Sequence, residues 1–283
     1  MKKRALKVGI FDSGIGGLSV LDACKKLLPE VKFYYYGDNH RAPYGNRSEE
    51  EILCFTREAF DCFLKLKVDA AVIACNTATA CAVDELRRAY PFPVVGMEPA
   101  VKPAAQACKR VLVLTTKATA QSARMQMLMG RFPNCEFTLW PCQHLALAIE
   151  KFVTVGENFL LSAHLPEGKF DGVVLGCTHY SIFAHEIAAF YSAPVFDGNQ
   201  GTAKRLKSVL KLDTLGTAAH CNVKKLNQNT NNCLNFYGRN RIKFIGKSRK
   251  INKNAYFRTF VLSKTKENRK KVFSDPKKVG KSG

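Results

Sequence analysis

The feature that most constrains this chain is a repeat. Asp69-Ala70-Ala71-Val72-Ile73-Ala74-Cys75 recurs 102 residues later as Asp171-Gly172-Val173-Val174-Leu175-Gly176-Cys177. Each copy is an acid, five apolar or small residues, then a cysteine. A short, uninterrupted apolar run of this kind reads as a strand buried on both faces, as in a parallel sheet. Polar groups follow each cysteine at once: Asn76-Thr77 in one copy, Thr178-His179 in the other. Val8–Asp12 and Leu112–Thr116 form a second matched pair.

Around these repeats the hydrophobic period alternates between strand and helix. Lys7–Phe11 ends in Asp12-Ser13-Gly14-Ile15-Gly16-Gly17, and Leu18, Leu21, Cys24, Leu27 and Leu28 then recur at helical spacing up to Pro29. Val31–Tyr36 reads as a strand that stops at Gly37-Asp38. Ser48-Glu49-Glu50-Glu51 is a capping box with acids on the positive end of a helix dipole. The helix it opens carries Ile52, Phe55, Ala59, Phe63 and Leu66 on one face. Ala78–Tyr90 reads as a helix and Pro93–Gly96 as a strand. A second series runs Val111–Leu114, Ala120–Met129, Cys135–Trp140, Leu145–Phe152, Gly172–Leu175, Ile182–Phe190, Val195–Phe196 and Thr202–Leu210, strand and helix in turn.

This pattern predicts an α/β protein of two similar, open, mainly parallel-sheet domains related by internal pseudo-symmetry. Ligands in such sheets bind beyond the C-terminal ends of the strands. Two such domains facing each other would bring Cys75 and Cys177 to opposite walls of one cleft, where the active site is expected. The first domain is expected to span 1–96 with a return segment at about 210–262, the second 97–209, and 263–283 to form a basic, disordered tail.

Charge sharpens that division. The chain carries a net +21, but residues 222–283 hold 18 Lys and Arg against 2 acids, whereas residues 1–221 hold 26 against 21. The excess belongs to the tail and says little about the main body. The tail interleaves Phe236, Tyr237, Phe244, Tyr256 and Phe257 with its basic residues, a composition compatible with binding nucleic acid or another polyanion. A solvated, poorly ordered tail is the favoured reading of it, and a shifted reading frame would look similar. No run of about 18 apolar residues exists, so no membrane helix is expected. The basic start breaks at Asp12 and is no secretory signal. A cytoplasmic protein follows. Eleven cysteines with no CxxC pair do not make a disulfide scaffold there. Cys24, Cys54, Cys62 and Cys108 read as small buried hydrophobes.

A thiol between a strand end and a helix start feels the helix dipole, which favours thiolate. Asp12 could accept or relay a proton from Cys75, and His179 could do so for Cys177. A single such cysteine is more often a spectator, but equivalent thiols in two repeats are hard to attribute to packing. Gly14-Ile15-Gly16-Gly17 with Asp38 is a near-match to the dinucleotide fingerprint that fails at Ser19; its plainer reading is a tight strand–helix turn. Cys142-Gln143-His144 and Cys177-Thr178-His179 lack zinc-site spacing, and no metal is expected. Arg41-Ala42-Pro43-Tyr44-Gly45 reads as a Pro-containing turn or as a loop offering a phenol and backbone N–H groups.

Taken together, FDSGIGGLSV (11–20), YGDNHRAPYG (36–45), ACNTAT (74–79), GMEPAVKPA (96–104), TTKAT (115–119) and GCTHY (176–180) resemble the glutamate racemases of the cofactor-independent aspartate/glutamate racemase family. The resemblance covers roughly residues 7–210. It implies an isomerase that makes D-glutamate for peptidoglycan, using Cys75 and Cys177 as the two proton donor/acceptors and no cofactor. It makes Asp12 the acid beside Cys75, His179 the partner of Cys177 and Glu150 a glutamate near the second thiol. Asp12, Ser13, Tyr44, Gly45, Asn76, Thr77, Thr119, Thr178 and His179 become contacts to glutamate, and a homodimer is expected. Ser181 departs from the family's proline after Thr-His-Tyr, and the match is lost near residue 213. An aspartate or other amino-acid racemase of the same superfamily is the alternative activity, and a polyanion-binding protein the alternative class.

Overall fold

The structure, a computed structural model, describes residues 4–142 and 144–212 and the backbone of Ile242–Phe244. β1 (Lys7–Asp12), α1 (Leu18–Leu27), β2 (Lys32–Gly37), α2 (Glu49–Lys65), β3 (Ala70–Ile73), α3 (Asn76–Ala89) and β4 (Val94–Gly96) follow in order. Then come α4 (Val101–Ala107), β5 (Arg110–Thr115), α5 (Lys117–Gln121), α6 (Ala123–Gly130), β6 (Glu136–Pro141), α7 (Leu145–Val155) and β7 (Gly172–Gly176). α8 (Ala184–Tyr191), β8 (Val195–Phe196), α9 (Asn199–Val209) and β9 (Ile242–Phe244) complete the described elements.

The strands form two all-parallel sheets. The first has the order β4-β3-β1-β2-β9 and the second β6-β5-β7-β8. Read from its other edge, the second is β8-β7-β5-β6, which repeats the first four strands of the first sheet. The duplication seen in the sequence is thus a duplication of topology. The repeated acid has the same task in both copies. Asp69 Oδ2 accepts from the Lys7 backbone N–H at 2.8 Å, and Asp171 Oδ2 from that of Arg110 at 2.9 Å. Each acid satisfies the first donor of the neighbouring central strand, β1 or β5, which the ladder leaves open at its end.

Both sheets are buried on two faces, which is why their strands read as continuous apolar runs. On one face of the first sheet Val8, Ile10, Val72 and Val95 pack with Val20, Leu21 and Cys24 of α1 and Ala203 and Leu206 of α9. On the other, Phe11, Ala71 and Ile73 meet Ile52, Ala59, Phe60 and Phe63 of α2 and Ala78, Ala82 and Leu86 of α3. In the second sheet Leu112, Leu114, Val173 and Leu175 pack with α7 and α8, while Val111, Val113 and Val174 pack with α4 and α6. Side chains such as Phe60 and Phe63, fully buried here, typically cost about 3–5 kcal/mol when cut to Ala.

Several expectations need adjustment. The return to the first domain comes earlier than 210: α9, beginning at Asn199, lies against α1, so 199–209 joins the first domain's core. In the C-terminal region β9 pairs with β2 through Phe33↔Ile242, Tyr34↔Lys243 and Tyr35↔Phe244. The expected tail, 263–283, lies outside the described residues. The helix expected over Ala120–Met129 is two helices, because Ser122 turns extended (φ −69°, ψ 140°) and its side chain caps a new start by accepting from Met125 N. Thr178–Phe183 is a 3₁₀ turn before α8. Cys24 is buried as expected, but Cys54 is exposed and Cys62 and Cys108 are half-buried.

Candidate active site

The two repeated cysteines sit at the same place in the two sheets. Cys75 caps α3 just past β3, its Sγ accepting from Ala78 N at 3.5 Å. Cys177 follows β7 and precedes the 3₁₀ turn. Both are buried and both belong to the apolar clusters beneath them. β1 ends at Asp12 and β5 at Thr115, so each sheet contributes two adjacent strand ends on either side of its topological switch point.

The domains meet through the glycine turn after β1. Gly14 and Gly16 allow the approach. A Cβ on Gly14 would stand 2.6 Å from Glu150 Oε2, and one on Gly16 would stand 2.5 Å from Thr178 Oγ1 and 2.6 Å from His179 N. The turn takes an anion, but that anion is the protein's own. Asp12 Oδ2 accepts from Gly14 N at 2.9 Å and Glu150 Oε2 from Ile15 N at 3.3 Å. Asp38, the other half of the near-fingerprint, accepts from the Tyr44 hydroxyl at 2.5 Å and from Arg41 Nε at 2.6 Å.

On the first wall Asp12 is fully buried. Its Oδ1 accepts from the Thr178 hydroxyl at 3.1 Å, across the domain boundary. Burial raises the Asp12 carboxyl to about 6, against the opposing pull of His179's charge and the bonds from Gly14, Gly17 and Thr178. Burial also pushes the Cys75 thiol up, with Asp12's charge next, to about 12; the Ser13 hydroxyl and Ala78 N–H pull the other way. The helix dipole expected to favour a Cys75 thiolate is therefore outweighed by desolvation.

On the second wall three groups form a line. Cys177 Sγ lies 3.8 Å from His179 Nδ1, and His179 Nε2 lies 2.5 Å from Glu150 Oε2. Burial works against a charged His179, but contact with Cys177 and Glu150 together holds its pKa well above the ordinary value. With Nε2–H donating to Glu150, Nδ1 is the nitrogen left to exchange a proton with the thiol. Glu150, 135 residues from Ile15 in sequence, is brought in by α7.

Between the walls lies a hydroxyl cluster. Thr77 Oγ1 is 3.0 Å from Thr116 Oγ1 and 3.3 Å from Thr119 Oγ1, and Thr116 and Thr119 are 3.0 Å apart. Asn76 is buried with both side-chain amide atoms unpartnered among the described residues, as is Glu150 Oε1. Unpartnered buried polar atoms of this kind suit a polar ligand. Gly45 abuts Thr116, since a Cβ there would lie 3.0 Å from Thr116 Cβ. Of the expected residues, Asp12 and Ser13 act on Cys75, His179 and Glu150 line up with Cys177, and Thr178 bonds Asp12. Thr77, next to Asn76 in the chain, and Thr119 form the hydroxyl cluster that the Tyr44–Gly45 turn reaches through Thr116. Thr116 and Asp38 were not singled out as site residues in the sequence. Thr116 has a local signal, as the capping threonine of the TTKAT segment; Asp38 has only its place at a strand end and in the near-fingerprint, neither of which points to Tyr44. Cys142 packs into the second domain's core, and its carbonyl accepts from Tyr180.

The fold and site together define a two-domain α/β protein with paired thiols at equivalent strand ends. Residues 16–206 match the family model described as Asp/Glu/Hydantoin racemase. A glutamate racemase of Clostridium acetobutylicum is 40% identical over 219 residues, covering 74% of this chain and 86% of that protein. The crystal structure of Escherichia coli glutamate racemase, in complex with L-glutamate and the activator UDP-MurNAc-Ala, superposes with a TM-score of 0.67 at 32% identity, over 74% of this chain and 83% of that one. The glutamate racemase of Campylobacter jejuni shares the fold over 91% of this chain and 99% of its own, with a TM-score of 0.70 at 24% identity. The chain belongs to the Asp/Glu/Hydantoin racemase family and is an amino-acid racemase.

Proposed function

We propose that this racemase interconverts L- and D-glutamate by a cofactor-independent two-base reaction, and that its D-glutamate serves peptidoglycan synthesis. What supports the reading is that two buried thiols stand at equivalent strand ends, Cys75 under the charge of Asp12 and Cys177 in line with His179 and Glu150. In this reading Asp12 assists Cys75, and His179 with Glu150 assists Cys177. Racemisation needs one group to remove the Cα proton from one face while another delivers a proton to the opposite face. One thiol starts as thiolate and the other as thiol, and the roles exchange with direction. Cys75 exchanges the proton of D-glutamate and Cys177 that of L-glutamate.

The electrostatics support a substrate-coupled start. A thiol raised to about 12 beside a carboxyl raised to about 6 is poorly ionised when no cation is near. The α-ammonium of an amino acid placed beside Asp12 and Cys75 would lower both values. The carbanion-like transition state needs donors aimed at the α-carboxylate. Asn76, Thr77, Thr119, Thr178 and the backbone N–H groups at the Ser13 and Thr178 turns are the candidates.

Circular dichroism of L- or D-glutamate incubated with the purified protein, without pyridoxal phosphate, tests the activity. In D2O, early product should carry deuterium at Cα while recovered substrate does not, the signature of two separate bases. A constant ellipticity would overturn the reading, and equal turnover of aspartate would overturn the substrate assignment.

A further inference from the structure

We infer that Asp38 is a positioning residue: its carboxylate pins the Tyr44–Gly45 turn against the opposing domain and so sets how tightly the cleft holds its substrate. The inference rests on the proposed role of Tyr44 and Gly45 as glutamate contacts, and adds a residue whose carboxylate is taken up by Tyr44 and Arg41 and so acts through them.

Asp38 is tied on every side. It follows the last residue of β2, and its backbone N–H donates to the Asp12 carbonyl at 3.0 Å. Its own carbonyl accepts from the N–H groups of Arg41 and Ala42, each at 3.1 Å. Its carboxylate is 94% shielded from solvent, as its 6% exposure records, and takes the Tyr44 hydroxyl and Arg41 Nε on Oδ2. Arg41 then forks onto Glu58 of α2 at 3.1 and 2.8 Å and lies over the Phe55 ring, 3.9 Å from its centroid. The Arg41 bridge thus references Asp38 to a packed helix rather than to a loop.

The other end of the relay is Tyr44. Its ring sits between Phe11 and Phe55, with centroids 6.1 and 5.7 Å away. The hydroxyl is held by Asp38, so the ring has one orientation. Tyr44 opens a single 3₁₀ turn whose next residue, Gly45, abuts Thr116 of the second domain. Thr116 is bonded to Thr77 and Thr119. A continuous path therefore runs from the Asp38 carboxylate through Tyr44 and Gly45 to the hydroxyl cluster between the two walls. Stability alone accounts poorly for this arrangement, because buried ion pairs rarely improve on apolar packing. What a short phenol–carboxylate bond supplies is a fixed position for the backbone that follows.

The test compares wild type, Asp38→Asn, Tyr44→Phe and the double variant, by kcat and KM for both glutamate enantiomers. Loss of a charge-assisted bond should raise KM about tenfold or more, with kcat within about threefold, since the thiols and their partners are untouched. The double variant should be no worse than the poorer single one, because the two groups act as one unit. KM within twofold of wild type in Asp38→Asn, a fall in kcat with KM unchanged, or effects that multiply in the double variant would overturn the assignment. Tyr44→Phe keeps the ring and the Asp38–Arg41 pair. Should Asp38→Asn not fold, an unchanged KM in Tyr44→Phe overturns it equally. A wild type inactive on glutamate would overturn the proposed function and this inference with it. An active wild type with an unmoved Asp38→Asn would overturn this inference alone.

Discussion

The Thr178 hydroxyl donates to Asp12 Oδ1 at 3.1 Å, so the residue after one thiol is bonded to the carboxylate beside the other. The two walls of the site are joined by their own chemistry as well as by the packing behind them. A change in the protonation of Asp12 is felt by the turn that carries His179, and the reverse holds.

Cys75→Ser and Cys177→Ser should each lower kcat by about a thousandfold or more in both directions, because an alcohol gives almost no anion near neutral pH. Unfolding midpoints close to wild type would show that chemistry, and not folding, is lost. Near-wild-type turnover by either variant would remove the two-thiol mechanism.

Asp12→Asn should stabilise the fold at neutral pH while removing activity. The wild-type carboxyl has a folded value of about 6 against 3.8 for the ordinary group. Below about pH 4 it is protonated in both states and costs nothing. As pH rises through 4 to 6 the unfolded chain ionises first, and wild type should lose up to about 3 kcal/mol relative to the variant. Urea unfolding at pH 4, 5, 6 and 7 reads this directly. A difference that stays flat across the range would contradict the buried carboxyl.

Gly16→Ala should cut kcat by about a hundredfold or more. Its Cβ would meet the backbone N of His179 at 2.6 Å, which cannot give way without moving the Cys177 wall, and small displacements of reacting groups are costly. Gly201→Ala is the control: it lies within α9 with nothing within 4 Å of the new Cβ. It should keep full activity and gain about 0.5–1 kcal/mol of stability. Equal activity of the two variants would show that the domains need not approach so closely.

Glu150→Gln keeps an acceptor for His179 Nε2 but removes the charge. Turnover should fall by about 10- to 100-fold, in the range expected for a positioned acid–base partner. The imidazole titration, followed by NMR, should move down, since Glu150 is one of the groups holding it up. An unchanged titration would place the cause of the high value on Cys177 alone.

The sequence carried the repeated framework well, because local pattern determines it: an apolar run, an acid before it and a cysteine after it are visible without any contact map. Cys75 and Cys177 stand in that repeat, His179 lies two residues past its second cysteine, and Asp12 ends the neighbouring strand. Glu150 was reachable only by resemblance, since its partner Ile15 is 135 residues away and nothing local on α7 distinguishes it from a surface acid. Asp38 reads from its spacing only as part of a near-match to the dinucleotide fingerprint; its bonds to Tyr44 and Arg41 are not legible there. The thiol environment was misjudged for a similar reason. The helix dipole is legible in a strand–helix junction, whereas burial depends on the whole fold. In the C-terminal region Leu234–Tyr237, Ile242–Ile245 and Phe257–Leu262 are the runs apolar enough to return to the first sheet, and local pattern does not rank them. Ile242–Phe244 forms a strand on β2, and the other two runs lie outside the described residues.

The packing of α9 on α1 also dictates an order of assembly. Ser19 and Asn199, which meet at 3.3 Å, are 180 residues apart, whereas the second sheet is drawn from one unbroken stretch between residues 110 and 196. Contacts that span so much chain form slowly, because a long loop must close before they are rewarded. During synthesis the part of α1 and of its sheet face that Ala203 and Leu206 cover therefore waits until α9 has emerged, while the inserted unit between them can already have condensed. The half of the molecule made first is the half finished last, and it is there that a growing chain most needs protection from aggregation.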